Sequence, residues 1–275
     1  MQNTPETATA TTVSDESGKG HCTMRRIILI ALLLISTPLQ AEPRQIVLST
    51  LEWPPYTGSQ LDQHGYAHEV VKRAFDLVGL ETAIRFYPWA RALQMAELGK
   101  VDGVFPEYHA PQVRQDMLFS EAFPSGAAGL LKLRDNPAVP AITLADIDSA
   151  VAALAGLRLG LVRGYVNHPA LDNTPLIKRS YARDDLHNLD RLLSRRVDLI
   201  FIDFSVAQYL IERTFAEQAA AFERIEPALL QPTLHLIMPR HRPQSQATME
   251  AFNRGLRTLK DSGELKTIMQ RHGLQ

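Results

Sequence analysis

The sequence predicts an α/β protein whose chain folds into two lobes joined by two extended crossovers. Three observations predict this fold. Apolar segments of strand length alternate with amphipathic helical segments, a break rich in proline interrupts the pattern at residues 134–140, and the alternation then starts again. Because parallel strands need long connections, such alternation favours mostly parallel sheets covered by helices. The chain has 275 residues, 45% of them apolar, which is enough for two ordinary cores.

The N-terminal segment carries an export signal. Residues 24–41 begin with two arginines, continue through the apolar run 27–35, and end at Ala41. This order is typical of a secretory signal peptide, and we expect cleavage after Ala41. The apolar run is too short to stay as a membrane anchor. The sequence therefore predicts export to a bacterial periplasm.

The residues before the signal are interpreted differently. Residues 1–23 show no hydrophobic pattern and precede a second methionine, Met24, so we expect them to be a non-native extension. The single cysteine, Cys22, lies in this segment. The chain after Ala41 therefore offers no thiol for a lipid anchor, a disulfide or a metal site.

The first alternating series runs from residue 45 to residue 133. Val71, Ala74 and Phe75 recur at helical spacing, and the loop 52–58 holds two aromatic residues beside two prolines. The expected strands are 45–50 and 82–86, the expected helices follow residue 68 and span 89–98, and 126–133 is extended.

The stretch 100–120 reads as a buried strand, a polar corner, one helical turn and a return strand. Open α/β folds bind ligands where a strand ends in a polar loop at the carboxyl edge of a sheet. Arg114 lies in that corner, and its planar guanidinium matches a carboxylate with two parallel hydrogen bonds. The alternative is a solvated surface arginine, which is the commoner case.

The second series follows the break. Leu186, Leu189 and Leu193 are expected to mark one face of a helix, and Gly164 is expected at a tight turn. The expected strands are 158–162, 177–180 and 198–202, and the expected helices are 143–154 and 205–214. The chain is then extended at 234–238, and two terminal helices follow that need a core to cover. They are expected to return to the first lobe, so that two crossovers form a hinge.

Composition and motifs exclude several functions. The chain carries 29 basic and 30 acidic residues, so it lacks the clustered positive charge of a nucleic-acid-binding protein. It contains no GxSxG elbow, no HExxH motif and no glycine loop for phosphate. We therefore expect a small-molecule ligand, no nucleic acid, no catalysis, no metal and no cofactor.

Several ordered motifs together resemble a known family. They are Trp53-Pro54-Pro55-Tyr56, Gly99 to Gly103, Arg114 shortly before Phe119-Ser120, Gly160 to Gly164, Asp198 five residues before Asp203, and Leu259 to Leu265. With these motifs in this order, the chain resembles the bacterial periplasmic solute-binding proteins of the polar-amino-acid type, extracellular solute-binding protein family 3. Within that family it resembles a divergent branch. The resemblance covers nearly all of residues 44–273.

The resemblance implies a type II periplasmic-binding-protein fold, in which each lobe is a mixed sheet flanked by helices. Lobe 1 would comprise residues 42–130 and 234–275, and lobe 2 residues 131–233. It also implies capture of a small polar, carboxylate-bearing or amino-acid-like ligand for an ABC importer, with the importer permease as partner. We expect a monomer.

The resemblance also places the ligand-binding residues. By this likeness, Arg114 binds a carboxylate, Asp203 takes an ammonium group from the second lobe, and the aromatic residues cover the ligand. Amides after Gly164 would bind the carboxylate at a helix start, where the helix dipole favours an anion. The expected set is Trp53, Tyr56, Trp89, Glu107, Tyr108, Arg114, Tyr165, Val166 and Asp203.

Other interpretations of these residues stay open. Trp53 and Trp89 could belong to the core, and Asp203 could cap the helix that follows it. Where amino-acid binders carry hydroxyl residues, this chain has Pro106, Glu107 and Val166. Glu107 could repel an anion, pair with Arg114, or receive a cationic group of the ligand. The ligand therefore need not be a standard amino acid.

Two alternative functions also stay open. The family's fold is shared by a periplasmic dehydratase that acts on prephenate-like acids, and Glu107 or His109 would then donate the proton. The chain could instead report its ligand to a membrane sensor on a separate chain.

Overall fold

The computed structural model describes residues 9–10, 45–139 and 147–274. The expected signal peptide, Cys22 and the start of the helix expected from residue 143 lie outside the described residues. The strands are β1 Ile46–Thr50, β2 Thr82–Phe86, β3 Gly103–Tyr108, β4 Met117–Phe119, β5 Phe123–Pro124, β6 Ala128–Leu133, β7 Arg158–Val162, β8 Lys178–Ala182, β9 Leu199–Asp203, β10 Phe222–Leu230 and β11 Thr233–Pro239. The helices are α1 Tyr66–Asp76, α2 Trp89–Glu97, α3 Ile147–Ala153, α4 Pro169–Asn173, α5 Asp185–Leu193, α6 Phe204–Thr214, α7 Ser245–Asp261 and α8 Glu264–Arg271, with short 3-10 turns at Asp62–His64 and Ala216–Ala221.

The strands form two mixed sheets. In the first sheet the order is β2-β1-β3-β11-β4, and β5 also pairs with β11. Strand β1 runs parallel to β2 and β3, whereas β11 is antiparallel to β3, β4 and β5. In the second sheet the order is β10-β6-β9-β7-β8, with β7 parallel to β8 and β9, and β6 antiparallel to β9 and β10. Mixed sheets in two lobes are the type II architecture that the family resemblance implied.

The chain changes sheet at two places. It leaves the first sheet after Pro124 and enters the second at Ala128, and it returns between Leu230 and Thr233. A lobe boundary at residue 130 would divide β6, which pairs along its length with β9. We therefore propose that the first lobe ends between Pro124 and Ala128.

The terminal helices cover the first sheet. Helix α7 packs on α1, and the rings of Phe75 and Phe252 lie 5.1 Å apart. Gly255 permits this approach, because a Cβ there would lie 1.8 Å from the carbonyl oxygen of Ala74. The apolar faces of α1, α2 and α7 join residues of β1, β3 and β11 in one core. The rigid sheet edge formed in this way carries the loops described below.

Helix α5 has a different buried face from the one its leucines predicted. Leu189 and Leu192 are fully buried, whereas Leu186 is 39% exposed. Asp185 and Asn188 share the buried side with Leu189 and Leu192. The prediction that Leu186 marks this face was therefore wrong, because the two leucines of the core are three residues apart and fix a phase that brings Asp185 inward.

Candidate functional site

A small cavity lies between the two sheets, where β3 and the loop after β1 face the loop after β7. Its volume is about 30 Å³, and Leu51, Trp53, Trp89, Pro106, Glu107, Tyr108, Tyr165 and Val166 line it. This is enough space for at least one water molecule. Residues of both sheets form its wall, so this is the place where the two lobes meet.

Glu107 and Arg114 form a buried ion pair beside this cavity. Glu107 lies near the end of β3 and is only 4% exposed. Its Oε2 accepts from Arg114 Nε at 2.7 Å, and its Oε1 accepts from the backbone N–H of Tyr108 at 3.0 Å. Burial raises the pKa of Glu107, and the charge and hydrogen bond of Arg114 oppose this rise. The protein's own carboxylate thus uses two donors that could have bound an anion.

The carbonyl oxygen of Gly164 joins the two lobes. It accepts from Trp89 Nε1 at 2.9 Å and from Arg114 Nη2 at 2.6 Å. Gly164 follows β7 with a φ of 82°, a conformation that favours glycine, and a Cβ there would lie 3.3 Å from Trp89 Cδ1. A backbone group of one lobe therefore holds two side chains of the other.

Asp203 has two sets of contacts. The sequence allowed it to be a helix cap, a residue of the ligand site, or both. At the end of β9 it caps α6, because its Oδ1 accepts from the N–H groups of Ser205 at 2.8 Å and Val206 at 3.2 Å. It also accepts from the hydroxyls of Tyr108 at 3.0 Å and Tyr56 at 3.2 Å, which come from the other lobe. Burial raises the pKa of Asp203. The helix cap suggested by the sequence is thus present, and the same carboxylate also binds hydroxyls that reach it across the cleft.

Asp185 is a second buried carboxylate at the cleft, and it was not among the site residues expected from the sequence. It is the first residue of α5, whose N-cap is Asp184, and it is 4% exposed. The hydroxyl of Tyr165 donates to its Oδ2 at 3.0 Å. Burial raises the pKa of Asp185 to about 7, and the charges of Asp203 and Asp184 also act to raise it. The signal for it was its spacing of four residues before Leu189, on the same helix face.

Aromatic rings enclose the cavity. The Trp53 ring centroid lies 5.9 Å from that of Tyr108 and 6.3 Å from that of Tyr165, and Trp89 lies 6.2 Å from Tyr165, all edge to face. Trp53 is 7% exposed, and no described atom is in hydrogen-bonding geometry with its Nε1. The Trp53 ring contacts that of Tyr165, whose hydroxyl is bonded to Asp185.

An open groove of about 460 Å³ adjoins the cavity on one side. It shares Leu51, Trp89 and Tyr165 with the cavity wall, so the two spaces lie side by side. The groove is also lined by Glu52, Phe86, Tyr87, Pro88, Arg183 and Asp184. The cavity and the groove thus share part of an aromatic wall.

The structure places the expected site residues in two layers. Trp53, Trp89, Glu107, Tyr108, Tyr165 and Val166 line the cavity, and Tyr56, Arg114 and Asp203 are bonded to residues around it. One detail is corrected. No helix begins directly after Gly164, because α4 begins at Pro169, with proline at its first position and His168 as its cap. The amides of Tyr165 and Val166 therefore do not lie at a helix N-terminus.

Comparison with protein-family models decides the family. The model for bacterial extracellular solute-binding proteins, family 3, matches residues 46–275. The chain belongs to this family. No curated protein matches this family 3 chain, and no helix in its described part has the length and apolarity to cross a bilayer.

Solved structures similar to the family 3 chain have the same fold. A histidine kinase sensor domain similar to periplasmic binding proteins has a TM-score of 0.69 at 16% identity, over 83% of this chain and 95% of that chain. The GluR0 ligand-binding core from Nostoc punctiforme, in complex with glutamate, has a TM-score of 0.66 at 16% identity, over 82% and 98%. The amino acid ABC transporter substrate-binding protein AbpA from Streptococcus pneumoniae, bound to arginine, has a TM-score of 0.67 at 16% identity, over 83% and 94%. At such identities the likeness concerns the fold alone.

Proposed function

We propose that this family 3 protein binds a small polar solute between its two lobes in the bacterial periplasm and delivers it to an ABC importer. The observation that carries the proposal is the convergence of polar side chains from both lobes on one site. Tyr108 of the first lobe donates to Asp203 of the second, and Arg114 donates to Gly164. A solute that contacts both lobes favours the closed form through its higher affinity for that form.

The site suits recognition of a charged molecule with an apolar body. Aromatic rings supply contact area, while Glu107, Arg114, Asp185 and Asp203 supply charges in a desolvated setting. Under this proposal the nine residues expected from the sequence bind the ligand or hold those that do. Asp185 is added to them.

Ligand binding is tested by a thermal-shift screen of the purified protein. The panel contains amino acids, small carboxylates, aromatic acids and polyamines. A ligand that binds only the folded state raises the melting temperature by mass action, so at least one class is expected to raise it. The compound that binds is then recovered and examined by mass spectrometry, and it is expected unchanged. A panel without any shift, or conversion of the compound, contradicts a binding protein.

The transport role needs a separate test. Cells that lack this protein are expected to accumulate the radiolabelled ligand more slowly than wild-type cells, and a plasmid copy is expected to restore uptake. Normal uptake in the deletion strain would contradict delivery to an importer, whereas the binding function would stand.

A further inference from the structure

The charges at the cleft are unbalanced. Glu107, Asp185 and Asp203 are each at most 4% exposed, and Arg114 is the cation that the described part of the chain pairs with one of them, Glu107. Neither Asp185 nor Asp203 makes an ion pair with a described residue. The charge of Asp203 also acts to raise the pKa of Asp185. A bound cation would favour the ionised forms of both carboxylates, and a bound anion would disfavour them.

The charged donor at the cavity, Arg114, and the N–H of Tyr108 are already used. Arg114 directs Nε to Glu107 and Nη2 to the carbonyl of Gly164, and the N–H of Tyr108 also points to Glu107. Pro106 has no N–H to offer. A ligand carboxylate that paired with Arg114 would have to displace Glu107 from a buried pair and would then leave that charge without its partner, which is costly. The carboxylate of Glu107 thus fills the place that a ligand acid would need.

The wall of the cavity has the chemistry of a site for organic cations. Four aromatic side chains, Trp53, Trp89, Tyr108 and Tyr165, line it, and the negative faces of such rings attract ammonium and guanidinium groups. The Trp53 Nε1 is buried without a described partner, so the wall also offers an unused N–H donor. The wall therefore combines aromatic rings with an acidic group, and one of its donors has no partner among the described residues.

We propose that the cleft selects an organic amine or guanidine cation without a carboxylate, which Asp185 and Asp203 receive while Glu107 stays paired with Arg114. This inference rests on the proposed binding function and specifies its ligand class. Asp185 is then the residue that sets specificity for positive charge, and Glu107 is the residue that excludes the acid.

Matched pairs of compounds test this inference on the wild-type protein. Agmatine and arginine, putrescine and ornithine, and cadaverine and lysine each differ by one carboxyl group. Isothermal titration calorimetry is expected to give, for at least one pair, a dissociation constant for the amine at least ten times lower than for its parent amino acid. This comparison needs no variant, so it does not depend on how a mutant folds.

Two variants assign the roles. Asp185→Asn is expected to weaken amine binding at least tenfold, while Asp190→Asn, an exposed position on the same helix, leaves binding unchanged. Glu107→Gln releases Arg114, which can then bind a ligand carboxylate. The ratio between the dissociation constants of the parent amino acid and its amine is therefore expected to decrease or to reverse. Circular dichroism melting of each variant verifies that it is folded before titration.

The possible failures are distinguishable. If a parent amino acid binds as tightly as its amine or more tightly, or if only an anionic compound of the wider panel binds, the inference is wrong and the binding function stands. If Asp185→Asn folds and binds the amine as wild type does, Asp185 does not set specificity and the inference is wrong in that part. If nothing in the panel binds, the proposed function fails together with the inference.

Discussion

At the scale of single residues, Asp185 carries the clearest chemical consequence. Its pKa is raised from 3.8 to about 7 by burial, so the folded state holds this proton more tightly than the unfolded state does. Between those two values the folded state binds more protons, and the free energy of unfolding therefore falls as the pH rises. Relative to its value below pH 3.8, the free energy of unfolding at pH 7 and above is therefore lower by on the order of 4 kcal/mol.

Substitution of Asp185 tests this pH dependence. The Asp185→Asn variant cannot titrate here, so its free energy of unfolding is expected to fall less than that of wild type between pH 4 and pH 7. Urea unfolding at a series of pH values measures the difference, and Asp190→Asn serves as the exposed control. Parallel curves for wild type and Asp185→Asn would contradict a buried acid with a raised pKa.

The residue scale also shows what the sequence can and cannot predict about the site. Pairing with Arg114 was one of the three roles that the sequence allowed for Glu107, and the structure shows the pair. Asp185 was missed because the leucines at 186, 189 and 193 suggested the wrong phase for the helix. A charged residue at a helix start normally reads as a solvated first-turn acid, so only the correct burial phase could have revealed it.

At the scale of elements, the junction between β9 and α6 combines a helix cap with a charged group of the site. Asp203→Asn keeps an oxygen for the N–H groups of Ser205 and Val206 and is expected to change the free energy of unfolding by less than about 1 kcal/mol. Asp203→Ala removes the cap and is expected to cost about 1 to 2 kcal/mol. Both variants lack the carboxylate charge, so both are expected to weaken binding of a cation.

Urea unfolding and ligand titration of these two variants separate the roles. Equal stability losses in both would mean that the charge of Asp203, and not its capping oxygen, stabilises the fold. Unchanged ligand affinity in Asp203→Asn would remove its charge from the binding site.

Elements were predicted more completely than the site. Strand β7 was placed correctly at 158–162, and β2 at 82–86, because short apolar runs between turn residues are a strong local signal. The turn at Gly164 was also predicted, and its φ of 82° accounts for the glycine. The helix expected directly after that turn begins instead at Pro169, with His168 as its cap, and the proline is a local start signal that the prediction did not use.

At the scale of the whole molecule, a few hydrogen bonds link the lobes. Tyr108 to Asp203 and Trp89 to Gly164 both cross the cleft, and each contributes roughly 0.5 to 1.5 kcal/mol to the closed form. The double variant Tyr108→Phe with Trp89→Phe is therefore expected to shift the equilibrium between open and closed forms toward the open one by about tenfold or more.

Small-angle X-ray scattering measures this shift as a larger radius of gyration than that of wild type. Tyr181→Phe, at an exposed position, is the matched control and is expected to leave the radius unchanged. A double variant with the wild-type radius would mean that other contacts hold the lobes together.

The two-lobed plan was predictable from sequence because an interrupted series of strands and helices, followed by helices without a sheet of their own, permits few other arrangements. The contacts across the cleft were not predictable. They join residues 95 positions apart in one case and 75 in the other, and no local pattern reports such a separation.

The contacts around the Gly164 carbonyl have a kinetic consequence. Trp89 and Arg114 bind this carbonyl across the cleft beside the cavity, so the association of a ligand is expected to begin from the open form. At high ligand concentration the observed association rate then approaches a plateau set by opening, instead of rising linearly as in a simple collision. Ligand release obeys the same restriction, so the lifetime of the complex is governed by the opening of the lobes and not by the strength of any single contact.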